Sequence, residues 1–383
     1  MKIAILLESF QPEYWGGRET RWKNLIEFFS ESNELVIYGD FSRFSSDIAF
    51  PGVRAKFVNI GPLPPMYGPK GNRSLKHAVL YTFKSSKILF FKSDILLTDQ
   101  TPLISIPVIR LFAYVSRTQL SITWHEVWST QTWFRYSRFL GIFGVILQEL
   151  ALLFSKNIVV PSAEVAADLQ KRLFSRKPTV IANGVKSGLQ RSKVNLNQQK
   201  ESGINLLFVG RLIKHKNCDF LIDVMEQARA LGKDWELTII GVGPMENRLR
   251  ELTSGKGLDE CITFKSNVPE IELTEQYSTS DVFVFPSQRE GYGISVAEAI
   301  SHDLPVIVYN CPENASTSLV QGRVSGLKVE ELEVTIWIAA IEELLHNQER
   351  NQVQNQIEIA TWESIGVEYT DLLNTLLRST DPS

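Results

Sequence analysis

The sequence predicts an α/β protein made of two successive parallel-sheet units. Short apolar runs recur along the 383 residues with helical patterns between them, the signature of strands joined by crossover helices. The alternation breaks once, at residues 186–203, a polar stretch rich in Gln, Asn, Ser and Lys without apolar periodicity. It reads as a linker or surface excursion at a domain boundary. At 44% hydrophobic residues, the chain has material for two cores.

In chain order, residues 2–8 read as the first strand. A loop over 9–18 carries Trp15-Gly16-Gly17 and leads into a helical pattern over 20–29. Strand-like runs follow at 35–38, 55–60, 95–98, 120–124, 157–160 and 179–182. Residues 139–154 form the longest apolar block; Gln148 and Glu149 inside it make it a buried helix and not a membrane span. After the polar stretch, strands at 205–210, 236–241, 262–265, 282–285 and 305–309 alternate with helices at 217–231, 245–252, 270–277 and 296–301. Residues 334–345 and 362–377 read as helices. The result is two Rossmann-like domains, 1–185 and 204–355, with 186–203 between them and 356–383 as a terminal helix.

Charge and cysteine usage narrow the partners. Net charge is −3, yet residues 1–185 hold 22 basic against 14 acidic side chains and the remainder 18 against 29. A basic first half suits an anionic partner. Residues 66–92 mix cations with aromatics and read either as a membrane-touching surface or as a core helix with a solvated basic face. Three scattered cysteines, Cys218, Cys261 and Cys311, fit a reducing compartment and neither a disulfide framework nor a zinc site. The apolar part of the N-terminus is too short for a signal peptide. These features predict a cytoplasmic protein, peripheral at the inner face of a membrane, that binds no nucleic acid.

The stretch from Arg289 to Ile300 dominates the second half. Phe285-Pro286-Ser287 ends a strand, and Gly291-Tyr292-Gly293-Ile294-Ser295 leads into a helix expected to start at Val296 under a Ser295 cap. Glycines there allow close backbone approach, and free helix amides favour an anion. Glu290 and Glu298 bracket the loop; equally, Glu298 could close a capping box with Ser295, and Glu290 could be a solvated loop acid. Gly210-Arg211-Leu212 with Lys216 closes another strand. Its cations suit a diphosphate, although they also fit a solvated turn. Gly241-Val242-Gly243-Pro244 lacks the full dinucleotide fingerprint and reads as a tight turn. Trp124-His125-Glu126 ends a strand of the first half, where His125 could orient a hydroxyl or shuttle a proton, or rest in an aromatic cluster. Asn183-Gly184 is a turn signal.

Together these segments resemble the retaining glycosyltransferases of family 4, which have the GT-B fold. The resemblance rests on Glu290 and Glu298 around Gly291-Tyr292-Gly293, on Phe285-Pro286-Ser287, on Gly210-Arg211-Leu212 with Lys216, on Asn183-Gly184-Val185, and on Gly16-Gly17 with Glu19. The terminal helix beginning Trp362-Glu363 is similar to one that crosses back onto the first domain in that family. The resemblance implies two domains facing a cleft, the first taking the acceptor and the second a UDP- or GDP-hexose. It implies Arg211 and Lys216 on the diphosphate and Glu298 on the ribose. It puts Glu290 on the sugar, the amides of Tyr292 to Ser295 on sugar or phosphate, and Gly16 and Gly17 against the diphosphate. Trp124, His125, Glu126 and Asn183 would lie on the acceptor side, with His125 catalytic alongside Glu290, Arg211 and Lys216. Glu313 and Asn314 would line the donor site. No cofactor or metal is implied, only a nucleotide sugar and a glycan or lipid-linked acceptor. Two alternatives stay open: a catalytically silent nucleotide-sugar-binding scaffold, and a nucleotide-sugar epimerase. The chain departs from the family at Asn217 and Asp303, where glycine is commoner.

Overall fold

The computed structural model describes residues 1–8, 16–42, 50–67, 73–136, 138, 141–174, 176–186, 203–320, 326–350 and 359–378, with backbone alone at 136 and 347–350. Trp15, Lys70 and nearly all of the expected linker lie outside the described residues. The chain forms two compact units. One comprises Met1–Gln11, Arg18–Asn183 and Trp362–Ser383; the other comprises Pro12–Gly17 and Gly184–Thr361.

The first unit is built on β1 (Lys2–Leu6), β2 (Glu34–Gly39), β3 (Ala55–Asn59), β4 (Ile95–Asp99), β5 (Gln119–Thr123), β6 (Asn157–Val160) and β7 (Thr179–Val180). They pair in parallel in the order β3-β2-β1-β4-β5-β6-β7. The second unit has β8 (Ile204–Val209), β9 (Trp235–Ile240), β10 (Ile262–Lys265), β11 (Val282–Phe285), β12 (Val306–Tyr309) and β13 (Gly326–Val329), ordered β10-β9-β8-β11-β12-β13. All five residues of β4 and all four of β11 are buried. Helices cover both faces of such a sheet, so its strands read as unbroken apolar runs. β13 was not anticipated. Its sequence, Gly-Leu-Lys-Val, is too short and mixed to stand out, and its register opposite Val306 to Tyr309 makes it a strand.

Each sheet reverses its order beside its first strand, between β1 and β4 and between β8 and β11. Ligands of open α/β sheets bind at the carboxyl ends of strands at such a point. The loops that carry the sequence motifs leave from these ends.

The terminal helix Trp362–Arg378 belongs to the first unit. Tyr369 is fully buried, shares a hydrogen bond of 3.0 Å with Thr123, and lies under the Arg21 guanidinium at 5.5 Å. Gly366 is needed there, since a Cβ would come within 2.4 Å of the Phe28 ring.

The helix Gly141–Phe154 corrects the expectation of a buried element. Its inward face holds Gly141, Gly144, Gln148, Ala151 and Leu152, while Ile142, Phe143, Ile146 and Leu150 are 41–68% exposed. The Trp133 ring fills the space beside Gly144, where a Cβ would approach to 2.2 Å. No side chain fits at Gly144, and Ile142, Phe143, Ile146 and Leu150 point outward.

The two departures from the family pattern have one backbone cause. Asn217 and Asp303 have φ of 52° and 54°. This left-handed region is where glycine is unstrained and where Asn and Asp are the best-tolerated alternatives. Asp303→Gly should therefore stabilise the second unit by about 1 kcal/mol, read as a higher urea midpoint. A lower midpoint would show that the Asp303 side chain itself contributes.

Candidate functional site

In the second unit the loop after β8 and the loop after β11 are tied together by charge. Lys216 sits in the short 3₁₀ turn Lys214–Lys216 and is 8% exposed. Its ammonium donates to Glu290 Oε1, with side chains 10% and 13% exposed, and lies 5.0 Å over the Phe285 ring. Asn217 Nδ2 donates to Pro286 O at 2.8 Å, and Gln288 N to His215 O at 2.8 Å. Burying both charges in one pair avoids the several kcal/mol an unpaired buried ion costs.

Glu290 is held from its other side too. Its N–H donates to Glu313 O at 2.9 Å, and Ala315 N–H donates to Glu290 O at 3.0 Å. Asn314, 2% exposed, anchors that strip: Nδ2 donates to Ser287 O and Tyr309 O, and Oδ1 accepts from Ser316. The expectation that Asn314 lines a donor site is corrected, because its polar atoms are consumed by the loop.

The Gly241-Val242-Gly243 turn supports the Arg211 loop. Gly210 N–H donates to Ile240 O at 3.0 Å, and Leu212 N–H to Val242 O at 2.9 Å. A Cβ on Gly241 would come 1.9 Å from Gly210 O, and one on Gly243 2.3 Å from Leu212 O. The two glycines let one backbone lie on another.

The field here is positive. His215 is pushed down to about 2, by burial first and then by Arg289, Lys216 and Arg211. With Lys216 paired to Glu290, the charges of Arg289 and Arg211 bias this edge toward an anion. The helix beyond Glu290 adds to this. It spans Ile294–Ser301 and is capped by Gly293 with φ 94° and no side-chain cap, which corrects the expected start at Val296 and the Ser295 cap. Its first intrahelical bond is Ala297 N–H to Gly293 O, 3.0 Å, so the preceding amides point out of the helix end. Gly291, Tyr292 and Ser295 are half-buried along the same turn. Gly293 admits no side chain, since a Cβ would meet Ser316 at 2.4 Å. Gly16 and Gly17 are grouped with this unit, and a Cβ on Gly17 would come 3.3 Å from Ile294 Cδ1.

Glu298 does not close a capping box. It accepts from Tyr277 Oη at 2.8 Å. Burial pushes its carboxyl up to about 7, with Glu270 adding and Tyr277 and Lys186 opposing. Tyr277 is held by His302, stacked at 5.2 Å.

The first unit gathers a different cluster at the ends of β1, β4 and β5. His125 Nε2 is 2.7 Å from Asp99 Oδ1, which also accepts from Trp22 Nε1 at 2.9 Å. A carboxylate only accepts, so Nε2 carries a proton and Nδ1 is the remaining ring nitrogen. Arg18 donates to Glu8 and Thr101 at 2.7 Å and to Glu19 at 2.7 Å, and lies 3.7 Å from Asp99. Burial alone would raise Glu8, but Arg73 and Arg18 outweigh it and bring it down to about 2. Two acceptor-side expectations need correction. Trp124 is fully buried in the core. Asn183, 4% exposed, spends its Oδ1 on Arg21 at 2.6 Å. His125 and Glu126 remain half-buried at the strand end. Sequence reasoning missed Glu8, Arg18, Asp99, His215 and Tyr277; the first and third sit at ends of recognised strands, the one signal that could have found them.

Comparisons with known proteins bear on the fold. Sucrose-phosphate synthase (tll1590) from Thermosynechococcus elongatus superposes over 99% of this chain and 100% of its own, with TM-score 0.74 and 16% identity. The fold is GT-B. Another GT-B structure, Anabaena Alr3699/HepE in complex with UDP-glucose, covers 99% and 98% with TM-score 0.70 and 15% identity. Residues 191–360, within the second GT-B unit, match the family model for glycosyl transferases group 1. Sulfoquinovosyl transferase SQD2 of Arabidopsis thaliana is 23% identical over 323 residues, 80% of this chain. The chain spans 59% of the length of SQD2 and 40% of another curated relative.

The raised Glu298 has a sign that can be tested. A carboxyl whose folded pKa exceeds its ordinary value near 4.5 adds stability below 4.5 that is lost as pH climbs through about 7. Glu298→Gln removes that loss. The variant should gain on the wild type between these pH values, reaching on the order of 2 kcal/mol above pH 7 in urea unfolding. A difference that stays flat with pH would place the carboxyl in water.

Proposed function

We propose that the protein is a glycosyltransferase that moves a hexose from a nucleoside diphosphate to a hydroxyl of a glycan or lipid-linked acceptor, with retention of configuration, as in family 4. The observation that carries this is the loop edge at the β8/β11 reversal, where Arg289 and Arg211 act on His215 alongside the Lys216–Glu290 pair, beside the Gly293-capped helix end. Such a site suits the charge that develops on a departing diphosphate. The match of residues 191–360 to glycosyl transferases group 1 supports it.

In this reading Arg211 and Lys216 hold the diphosphate and do the work a divalent ion would otherwise do, so no metal or cofactor is required. Gly16, Gly17 and Gly210 bring backbone close to it. The amides from Gly291 through Ser295 face phosphate or sugar. Glu298 accepts from the ribose hydroxyls with the oxygen that Tyr277 leaves unused. Glu290, steadied by Lys216, accepts from sugar hydroxyls. The acceptor oxygen bonds to the anomeric carbon as the bond from that carbon to the phosphate oxygen breaks. The acceptor proton passes to the leaving phosphate. On the acceptor side, His125 is oriented by Asp99, with Glu126 next to it.

The test is a thermal-shift panel of UDP, GDP, ADP and their sugar conjugates on wild type and Arg211→Ala. The nucleotide bound to the Anabaena protein makes UDP the first to try. One nucleotide should raise the midpoint, and Arg211→Ala should lose the shift. A ribose held by ionised Glu298 also makes the shift shrink as pH falls through about 7. No shift with any nucleotide removes the reading. Glu290→Ala should abolish nucleotide release from the sugar conjugate and keep most of the thermal shift; near-wild-type turnover would take Glu290 out of the site.

A further inference from the structure

The helix Gly141–Phe154 is packed inside out. Gly141, Gly144, Gln148 and Ala151 face the unit. Gln148 is fixed there by the backbone N–H and C=O of Trp128, at 3.1 and 3.0 Å. Ile142, Ile146 and Leu150, one turn apart, form a stripe facing out, with Phe143 beside it. The adjoining helix Ser105–Val115 extends the surface through Leu111, Tyr114 and Val115, each more than half exposed. Soluble helices turn such residues inward, and a contiguous exposed set marks a contact surface.

The charges around this surface have one sign. Arg110 lies on the adjoining helix with Arg117 just beyond it, and Lys156 follows the inverted helix. Arg135 and Arg138 precede it and line, with Phe134, an open hollow of about 430 Å³. Among the described residues these two arginines make no ion pair, whereas the helix's own acid, Glu149, faces Arg172 at 3.7 Å. The Ser105–Val115 helix also packs against the segment 66–92, which the sequence offered either as a membrane-touching surface or as a core helix; there Lys84 and Lys87 donate to Pro62 O and Asn59 O and Arg73 pairs with Glu8. Among the described residues no helix is long and apolar enough to cross a membrane.

An apolar stripe rimmed by cations fits an anionic bilayer, into which an amphipathic helix sinks its apolar face while its cations meet the headgroups. A second copy of the chain would bring like charges together. We propose that the helix Gly141–Phe154, flanked by Ser105–Val115, docks the first unit onto an anionic phospholipid surface without spanning it. The docking does not depend on the glycosyl-transfer reading.

The full chain is mixed with phosphatidylcholine vesicles, with or without about one third phosphatidylglycerol, and pelleted. Wild type should pellet with the anionic vesicles and about tenfold less with the neutral ones. Phe143→Ser with Ile146→Ser should cut binding about tenfold at an unchanged melting midpoint. Arg135→Glu with Arg138→Glu should remove the salt-sensitive part. Wild type left in the supernatant, or a serine variant that binds like wild type, overturns the proposal. So does a dimer by light scattering that the serine pair converts to monomer with no vesicle binding, which gives the face to a second copy. Nucleotide thermal shifts on the same samples separate failure here from failure of the donor site.

Discussion

The pairing of Lys216 with Glu290 is the constraint on which the second unit's site depends. Two charges taken from water need each other, and removing either leaves the other buried without compensation. The surroundings keep the two ends in place. The Phe285 ring lies under the ammonium, Asn217 ties one loop to Pro286, and the strip around Asn314 clamps Glu290 from behind. Loops leaving two different strands thus behave as one rigid edge at the point where the sheet reverses its order.

That edge is electrostatically biased. Lys216 is answered by Glu290; burial first, and then the charges of Arg289, Lys216 and Arg211, hold His215 neutral far below its ordinary range. The helix behind it starts with Gly293 and no side-chain acceptor, so its dipole adds to the same field. Glu298 lies one turn further along in a dry setting that favours its protonated form.

The first unit solves a different problem. Glu8, Glu19 and Asp99 all converge on Arg18, and Arg73 closes the far side of Glu8. The arrangement is largely self-satisfied, which suits orienting His125 through Asp99 more than binding an anion. One surface this unit leaves exposed is the apolar face of Gly141–Phe154.

The strand runs were legible because residues of a parallel sheet are buried on both sides, and Val282 to Phe285 can be little else. The loop motifs were legible because glycines and charges at strand ends stand out against apolar runs. Asn217 and Asp303 looked like departures until their left-handed backbone explained them. Ser295 and Glu298 had the spacing of a capping box, but the helix begins at Ile294 and Tyr277, twenty-one residues earlier, takes the carboxylate. Trp124 and Asn183 sat beside the right turn and proved to be core and scaffold. By itself, then, the sequence determined two α/β units and the loops that carry their chemistry, since those follow from local periodicity and breakers. Only the tertiary structure decided which side chains of those loops meet, which are spent on support, and which face of an apolar helix stays outside. These outcomes depend on contacts between residues far apart in the chain, which no local pattern records.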